Sequence, residues 1–199
     1  GRILDVGCAA GFVLQGLQDE GWVGQGVEPN PEMGRFGRDS LGLDIATSSF
    51  ESFETDEPFD VVSLVQVMAH FVDPRGVADH VAGLVKPGGY CVVETWNVKS
   101  WSARLFGQDW HEYSPPSVLQ WFSPRTLNDL FESVGFSPVR TGRPQKWLNV
   151  GHARSLLRHK ADSSLIGKLA HIVLGAIPNR VNVPYPSEDL FWTLYQRNR

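Results

Sequence analysis

At 199 residues the chain suits one domain with a full core, and 42% hydrophobic against 20% charged residues marks a globular class. Its 18 Lys and Arg are outnumbered by 22 Asp and Glu, for a net charge of −4, so a nucleic-acid partner is not expected, because phosphate affinity comes from an excess of Lys and Arg. No apolar run approaches the roughly 18 residues of a membrane-spanning helix, so stable membrane insertion is not expected either. Cys8 and Cys91 sit far apart in apolar surroundings and read as small core residues of a reduced, cytoplasmic protein, not as a disulfide or metal framework.

Strand and helix signals alternate from the first residues. RILDV is a short apolar run ahead of a Gly, the pattern of a buried strand. A domain rarely starts at its central strand, so an upstream segment is expected. GFVLQGLQDEG sets Val13, Leu14 and Leu17 at helical spacing and stops at Gly21. VGQGVE is a second strand, after which Asn30 serves as N-cap and Pro31 as first helical residue. GLDIATSS is a weaker strand at a sheet edge. FDVVSLV and YCVVETW are apolar on both faces, as strands of a parallel sheet between two helical layers are. Between them, Asp73-Pro74 opens a helix with Val77, Val81 and Leu84 on one face. Ser123-Pro124 opens another with Leu127, Leu130, Phe131 and Val134, closed by Gly135. Roughly residues 148–177 read as a helical cap over a binding crevice, and DLFWTLYQR alternates as a last strand. The order is that of one doubly wound α/β domain over 1–199.

In such folds ligands bind beyond the carboxyl ends of the strands, where strand order reverses. The segment from Asp5 to Gly11, DVGCAAG, stands there. Its small residues admit close backbone approach, and the helix behind it offers free N–H groups. A dinucleotide loop would read G-x-G-x-x-G; Ala9 and Phe12 replace two of those glycines, which disfavours a nicotinamide oxidoreductase. The pattern present is an acid, one residue, Gly, three small residues, Gly.

With this loop, GVEPNPEM, FDVVSLVQVMAHFVDP, LVKPGGYCVVETWN and WFSPRTLNDLFESVGF, the chain resembles a class I S-adenosylmethionine-dependent methyltransferase over residues 1 to about 140. It is most similar to the small-molecule branch of ubiquinone-biosynthesis-type and natural-product O-methyltransferases. The resemblance implies a Rossmann-like, mostly parallel seven-stranded sheet with an antiparallel last strand. It also implies S-adenosyl-L-methionine as cofactor, cradled by Asp5, Gly7, Cys8, Ala9 and Gly11. The loop N–H groups would meet the carboxylate of the cofactor, and Asp5 its ammonium. Glu28, followed by Pro29, would accept from both ribose hydroxyls. Ser49 and Phe50 match the adenine position, with Phe50 equally readable as a core residue. Val65 and Gln66 should line the methionine side.

Direct displacement at the methyl carbon asks the enzyme mainly to align acceptor and methyl, while a hydroxyl acceptor also needs its proton removed, for which a histidine suits. His70 stands where this family often has an active-site His, with a packed helix-start role as the alternative; His111 is a second candidate. The quinone branch commonly carries acids where this chain has Gln66 and Ala69, so a metal site built from them is not expected. Trp96, Asn97 and Trp110 follow the fifth strand. If they are not simply core, they wall an acceptor pocket suited to an aromatic, polyketide or lipophilic molecule. The expected function is methyl transfer to a hydroxyl of such a small molecule; the alternative is a non-catalytic subunit that binds the same cofactor. The acceptor and the oligomeric state are left open.

Overall fold

A computed structural model describes residues 1–151, 178, 181–185 and 187–199. Its strands are β1 (Arg2–Val6), β2 (Val23–Val27), β3 (Ile45–Ala46), β4 (Phe59–Val65), β5 (Val85–Trp96), β6 (Phe136–Gly142), β7 (Lys146–Asn149), β8 (Asn182–Tyr185) and β9 (Leu190–Arg197). The helices are α1 (Phe12–Asp19), α2 (Pro31–Leu41), α3 (Pro74–Leu84), α4 (Trp101–Phe106) and α5 (Pro124–Glu132). The chain divides into two compact units, Gly1–Arg143 with Glu188–Arg199, and Pro144–Ser187.

The first unit holds a seven-stranded sheet of order β3-β2-β1-β4-β5-β9-β6. Strands β3 to β5 run parallel, and β9 lies antiparallel between β5 and β6. Strand order therefore reverses between β1 and β4, and the loops leaving those two strands flank the crevice. In the second unit β7 pairs antiparallel with β8. Leu148 and Asn149 are thus strand, opposite Val183 and Asn182, and not the start of a helix. Their partners come from a distant stretch, so helical spacing alone misassigned them. Residues 152–177 of the expected cap lie outside the described residues.

The three expected helix starts are capped by side chains. Asn30 accepts from the N–H groups of Glu32 and Met33, and Asp73 from those of Arg75 and Gly76. Ser123 and Thr126 form a reciprocal capping box. On one face of the sheet, Val77, Val81 and Leu84 of α3 and Leu127 and Phe131 of α5 pack on Leu4, Val62, Leu64, Cys91 and Tyr195. A smaller cluster joins Cys8, Leu14, Leu43 and Ile45. Two-turn α1 buries only Leu14; Val13, expected on its buried face, is 51% exposed. Among the described residues no helix is long and apolar enough to cross a membrane.

Phe131 is fully buried, stacked on Tyr195 at 4.6 Å between ring centroids and edge-on to Phe136 at 5.7 Å. Phe131→Ala is expected to lower unfolding free energy by about 3–5 kcal/mol through lost burial and the cavity left behind. Urea denaturation checks this, with the midpoint falling and the slope unchanged.

Candidate functional site

The loop after β1 is shaped by two glycines. Gly7 and Gly11 have φ of 66° and 87°, a left-handed region that favours glycine. A Cβ on Gly7 would stand 2.5 Å from Val67 Cγ1, and one on Gly11 2.4 Å from Leu43 Cδ1. The glycines thus let the loop lie against the exit of β4 and the approach to β3. Among the described residues two non-glycines share positive φ, Ala9 at 48° and Gln66 at 59°. They leave the adjacent strands β1 and β4, and such strain concentrates at functional sites.

Glu28, just past β2, holds the loop down. Its Oε2 accepts from Ala9 N–H at 2.9 Å and its Oε1 from Asn30 N–H at 2.8 Å. The other loop donors also turn inward. Gly7 and Cys8 N–H both reach Val27 O, and Gly11 N–H reaches Cys8 O. The points left for a ligand carboxylate are Ala10 N–H and the unpaired first turn of α1, a narrower set than the expected whole loop. Each oxygen of Glu28 keeps a further lone pair.

A cavity of about 330 Å³ opens beside this clamp, within the small-molecule range of roughly 300–1,000 Å³. Gly7 comes to it from the loop, Glu28 and Pro29 from just after β2, Ser49 and Phe50 from the turn after β3, and Val67, His70 and Phe71 from the turn after β4. Five expected cofactor residues and one candidate base thus share one wall. Phe50 lines the cavity while its ring also packs on Phe71 and His80 in the core. Val67 and Phe71 were missed by sequence reasoning. Gln66 explains why: its N–H and Nε2 bond Glu94 O and Oε1 at 2.8 and 2.7 Å, and its positive φ turns the chain. Val67, and neither Val65 nor Gln66, then faces the cavity.

The remaining loop residues lie beneath or beside that wall. Cys8 points into the Leu14, Leu43 and Ile45 cluster, and burial, with Asp5 and Glu28 nearby, pushes its thiol up to about 12. It is an inert core residue. Asp5 is 3% exposed, and its Oδ1 accepts from Ser63 Oγ at 2.6 Å. Burial pushes its carboxyl up to about 6, with the Ser63 hydrogen bond pulling the other way.

His70 Nδ1 lies 2.7 Å from Ser117 O. A carbonyl only accepts, so Nδ1 carries the proton and Nε2 of the neutral ring is left with its lone pair. His111 belongs to a different group. Its ring meets Trp96 edge-on at 4.6 Å and Trp110 at 5.8 Å, and its Nε2 is 3.6 Å from Glu112 Oε1 and 3.7 Å from Asp189 Oδ2. Trp110 is 4% exposed and donates Nε1–H to Asp189 Oδ2 at 3.2 Å, so it is bound into the core. Asn97 Oδ1 accepts from Lys99 N–H in a local turn. Asp189, Glu112 and Ser117 carried no signal in the sequence, because each acquires its partner only in the folded chain.

Asp5 generates a pH prediction. Its folded value lies above the unfolded one, so the neutral acid favours the fold. That contribution is complete below about pH 4 and is lost as pH rises through about 6. Asp5→Asn, a permanently neutral replacement, is expected to be more stable than the wild type at pH 8 by roughly 2–3 kcal/mol, and so to unfold at a higher temperature. The gap should close near pH 4, as scanning calorimetry across that range will test.

Residues 1–141 match the Methyltransferase domain family. The chain is 31% identical over 150 residues to the ubiquinone biosynthesis O-methyltransferase of Cereibacter sphaeroides, covering 69% of this chain and 61% of that protein. It is 33% identical over 149 residues to its counterpart in Maricaulis maris, covering 70% and 56%. The chain therefore spans about three fifths of the length of the curated relatives it matches. In fold it is similar to N-methyltransferase NodS from Bradyrhizobium japonicum, with a TM-score of 0.62 at 14% identity over 100% of this chain and 86% of that one. It is also similar to a possible histamine N-methyltransferase from Thermotoga maritima, with a TM-score of 0.65 at 18% identity over 100% and 82%. With a reversed strand order, a glycine loop held by a strand-end acid and a family match over most of its length, the chain belongs to the class I S-adenosylmethionine-dependent methyltransferases.

Proposed function

We propose that this chain transfers a methyl group from S-adenosylmethionine to a small-molecule acceptor, at a hydroxyl of an aromatic, polyketide or lipophilic metabolite. One observation carries most of the weight: His70, with Nδ1 tied to a carbonyl, lines the same cavity as Gly7 and Glu28. The residues fit the cofactor, since the cavity has small-molecule volume and a strand-end carboxylate with lone pairs to spare. When bound, S-adenosylmethionine supplies an electrophilic methyl group on a sulfonium leaving group. Glu28 would accept from its ribose hydroxyls, Ser49 and Phe50 would border its adenine, and Asp5 would balance its ammonium. Nε2 of His70 takes the acceptor's hydroxyl proton, and the apolar wall of Val67, Phe50 and Phe71 keeps water from competing. The printed names of the two O-methyltransferase relatives support the choice of oxygen. A reducing, cytoplasmic setting is supported by Cys8 and Cys91, both buried free thiols.

Glu28→Ala is expected to weaken S-adenosylmethionine binding by about 2–4 kcal/mol, because two charge-assisted hydrogen bonds are lost. The loop is unpinned from Ala9 N–H at the same time, so stability of the ligand-free protein should fall as well. Isothermal calorimetry giving an unchanged affinity would remove Glu28 from the site.

His70→Ala is expected to reduce formation of S-adenosylhomocysteine in the presence of acceptor by ~10²–10⁴-fold while leaving cofactor affinity intact. The native rate should fall at low pH as the imidazole protonates. Near-normal turnover per folded molecule, with lowered thermal stability, would return His70 to a packing role. Cofactor binding with no turnover on any hydroxylated acceptor tried would favour the non-catalytic subunit.

A further inference from the structure

The loop from Trp110 to Trp121 is anchored at both ends. At its far end, Leu119 and Gln120 donate their N–H groups to Ala69 O at 2.8 and 3.1 Å. The Trp121 indole closes the loop on Glu112 O at 3.0 Å and its ring stacks on Tyr113. At its near end the anchor is Asp189, the residue before β9. Its Oδ2 accepts from Trp110 Nε1 at 3.2 Å and lies 3.7 Å from His111 Nε2. Midway along this loop, Ser117 O accepts the Nδ1–H of His70.

Asp189 is 3% exposed, and its Oδ1 has no hydrogen-bond partner among the described residues. Its Oδ2 also accepts from Ser102 Oγ at 3.4 Å, but a buried carboxylate with one oxygen unbonded still favours a nearby counter-charge. Among the described residues His111 is the one cation-forming side chain paired with it. His111 lies against Glu112 on its own loop, Asp189 just before β9 and the ring of Trp96 from β5, with Trp110 beside it. Two of these neighbours are acids, and an aromatic ring is compatible with a cation beside it. The Nε2 of His111 thus lies between two carboxylates and away from the cavity that His70 lines, a place for a supporting side chain. Burial pushes the Glu112 carboxyl up, His70 pulls it down and Asp189 pushes it up, so the electrostatics of the two histidines meet at Glu112.

We propose that Asp189 is a positioning residue of the methyl-transfer site: through His111 and Trp110 it holds the loop whose Ser117 carbonyl keeps His70 in the Nδ1–H form with Nε2 open to the cavity. The proposal rests on the reading of His70 as the base. It divides the two candidate histidines, His70 handling the proton and His111 fixing the support. The far-end bonds to Ala69 O keep Ser117 beside His70 in either case; without the near-end anchor the stretch from Trp110 to Ser117 loosens, and the imidazole is expected to exchange between its tautomers.

The test needs no acceptor. Nitrogen NMR of the whole chain, labelled at histidine and bound to S-adenosylhomocysteine, reports which ring nitrogen of neutral His70 carries the proton. The wild type is expected to show a protonated Nδ1 and a bare Nε2. Asp189→Asn and His111→Gln are expected to show a mixture of the two forms at His70, with circular dichroism and S-adenosylhomocysteine affinity unchanged. A His70 signal that stays purely Nδ1–H in both variants overturns the proposal, as does a wild type protonated at Nε2. If Asp189→Asn does not fold, His111→Gln decides alone, because that side chain is 37% exposed. Failure of the wild type to bind S-adenosylhomocysteine would sink the methyltransferase reading instead, leaving the tautomer of His70 still measurable in the ligand-free chain.

Discussion

The carboxylate of Glu28 is the constraint on which the site depends. It is 8% exposed and accepts two backbone N–H groups, from Ala9 on the loop after β1 and from Asn30 at the start of α2. A buried charge survives only when it is so bonded, and here the bonding partners are the two loops that must be held together. Adjacent parallel strands leave their connections on the same edge of the sheet. One acid at the end of β2 can therefore fix both that strand's own turn and the neighbouring glycine loop. The cavity beside it inherits its shape from this clamp on one side and from the turn after β4 on the other.

Strain is spent on the same edge. Ala9 and Gln66 hold positive φ without being glycine, and Asp5 is buried with one hydroxyl as its side-chain partner. Each costs stability, and in each case the surrounding structure enforces the arrangement: Glu28 on Ala9, the paired contacts to Glu94 on Gln66, Ser63 on Asp5. The sheet and its aromatic core, with Phe131 against Tyr195 and Phe136, supply the compensating burial away from the crevice. This division is the usual one between a scaffold optimised for packing and a site that is not.

The edge is also electrostatically organised. Acids stand beside the two histidines: Glu112 near both, and Asp189 against His111. Negative neighbours stabilise an imidazolium wherever it forms. His111 Nε2 lies between two of these acids, while His70 has its Nδ1 tied to the Ser117 carbonyl.

Much of the scaffold was legible from the order of residues alone. Asn30-Pro31, Asp73-Pro74 and Ser123-Pro124 mark helix starts because a side-chain acceptor and a fixed φ act on their immediate neighbours. The apolar runs of β4 and β5 mark buried strands because both faces of a parallel strand are covered. Glycine spacing and a strand-end acid likewise located Gly7, Gly11 and Glu28, since backbone shape and one carboxylate are local properties. What only the tertiary structure decided involves partners far apart in the chain. His70 meets Ser117 across 47 residues, Trp110 meets Asp189 across 79, and β7 pairs with β8 across a long intervening stretch. The positive φ of Gln66 turns Val67 into the cavity in place of its neighbours, a single dihedral that no spacing rule encodes. Local chemistry writes its signal into adjacent residues; a contact closed by folding leaves none, because either partner by itself is an ordinary residue of its element.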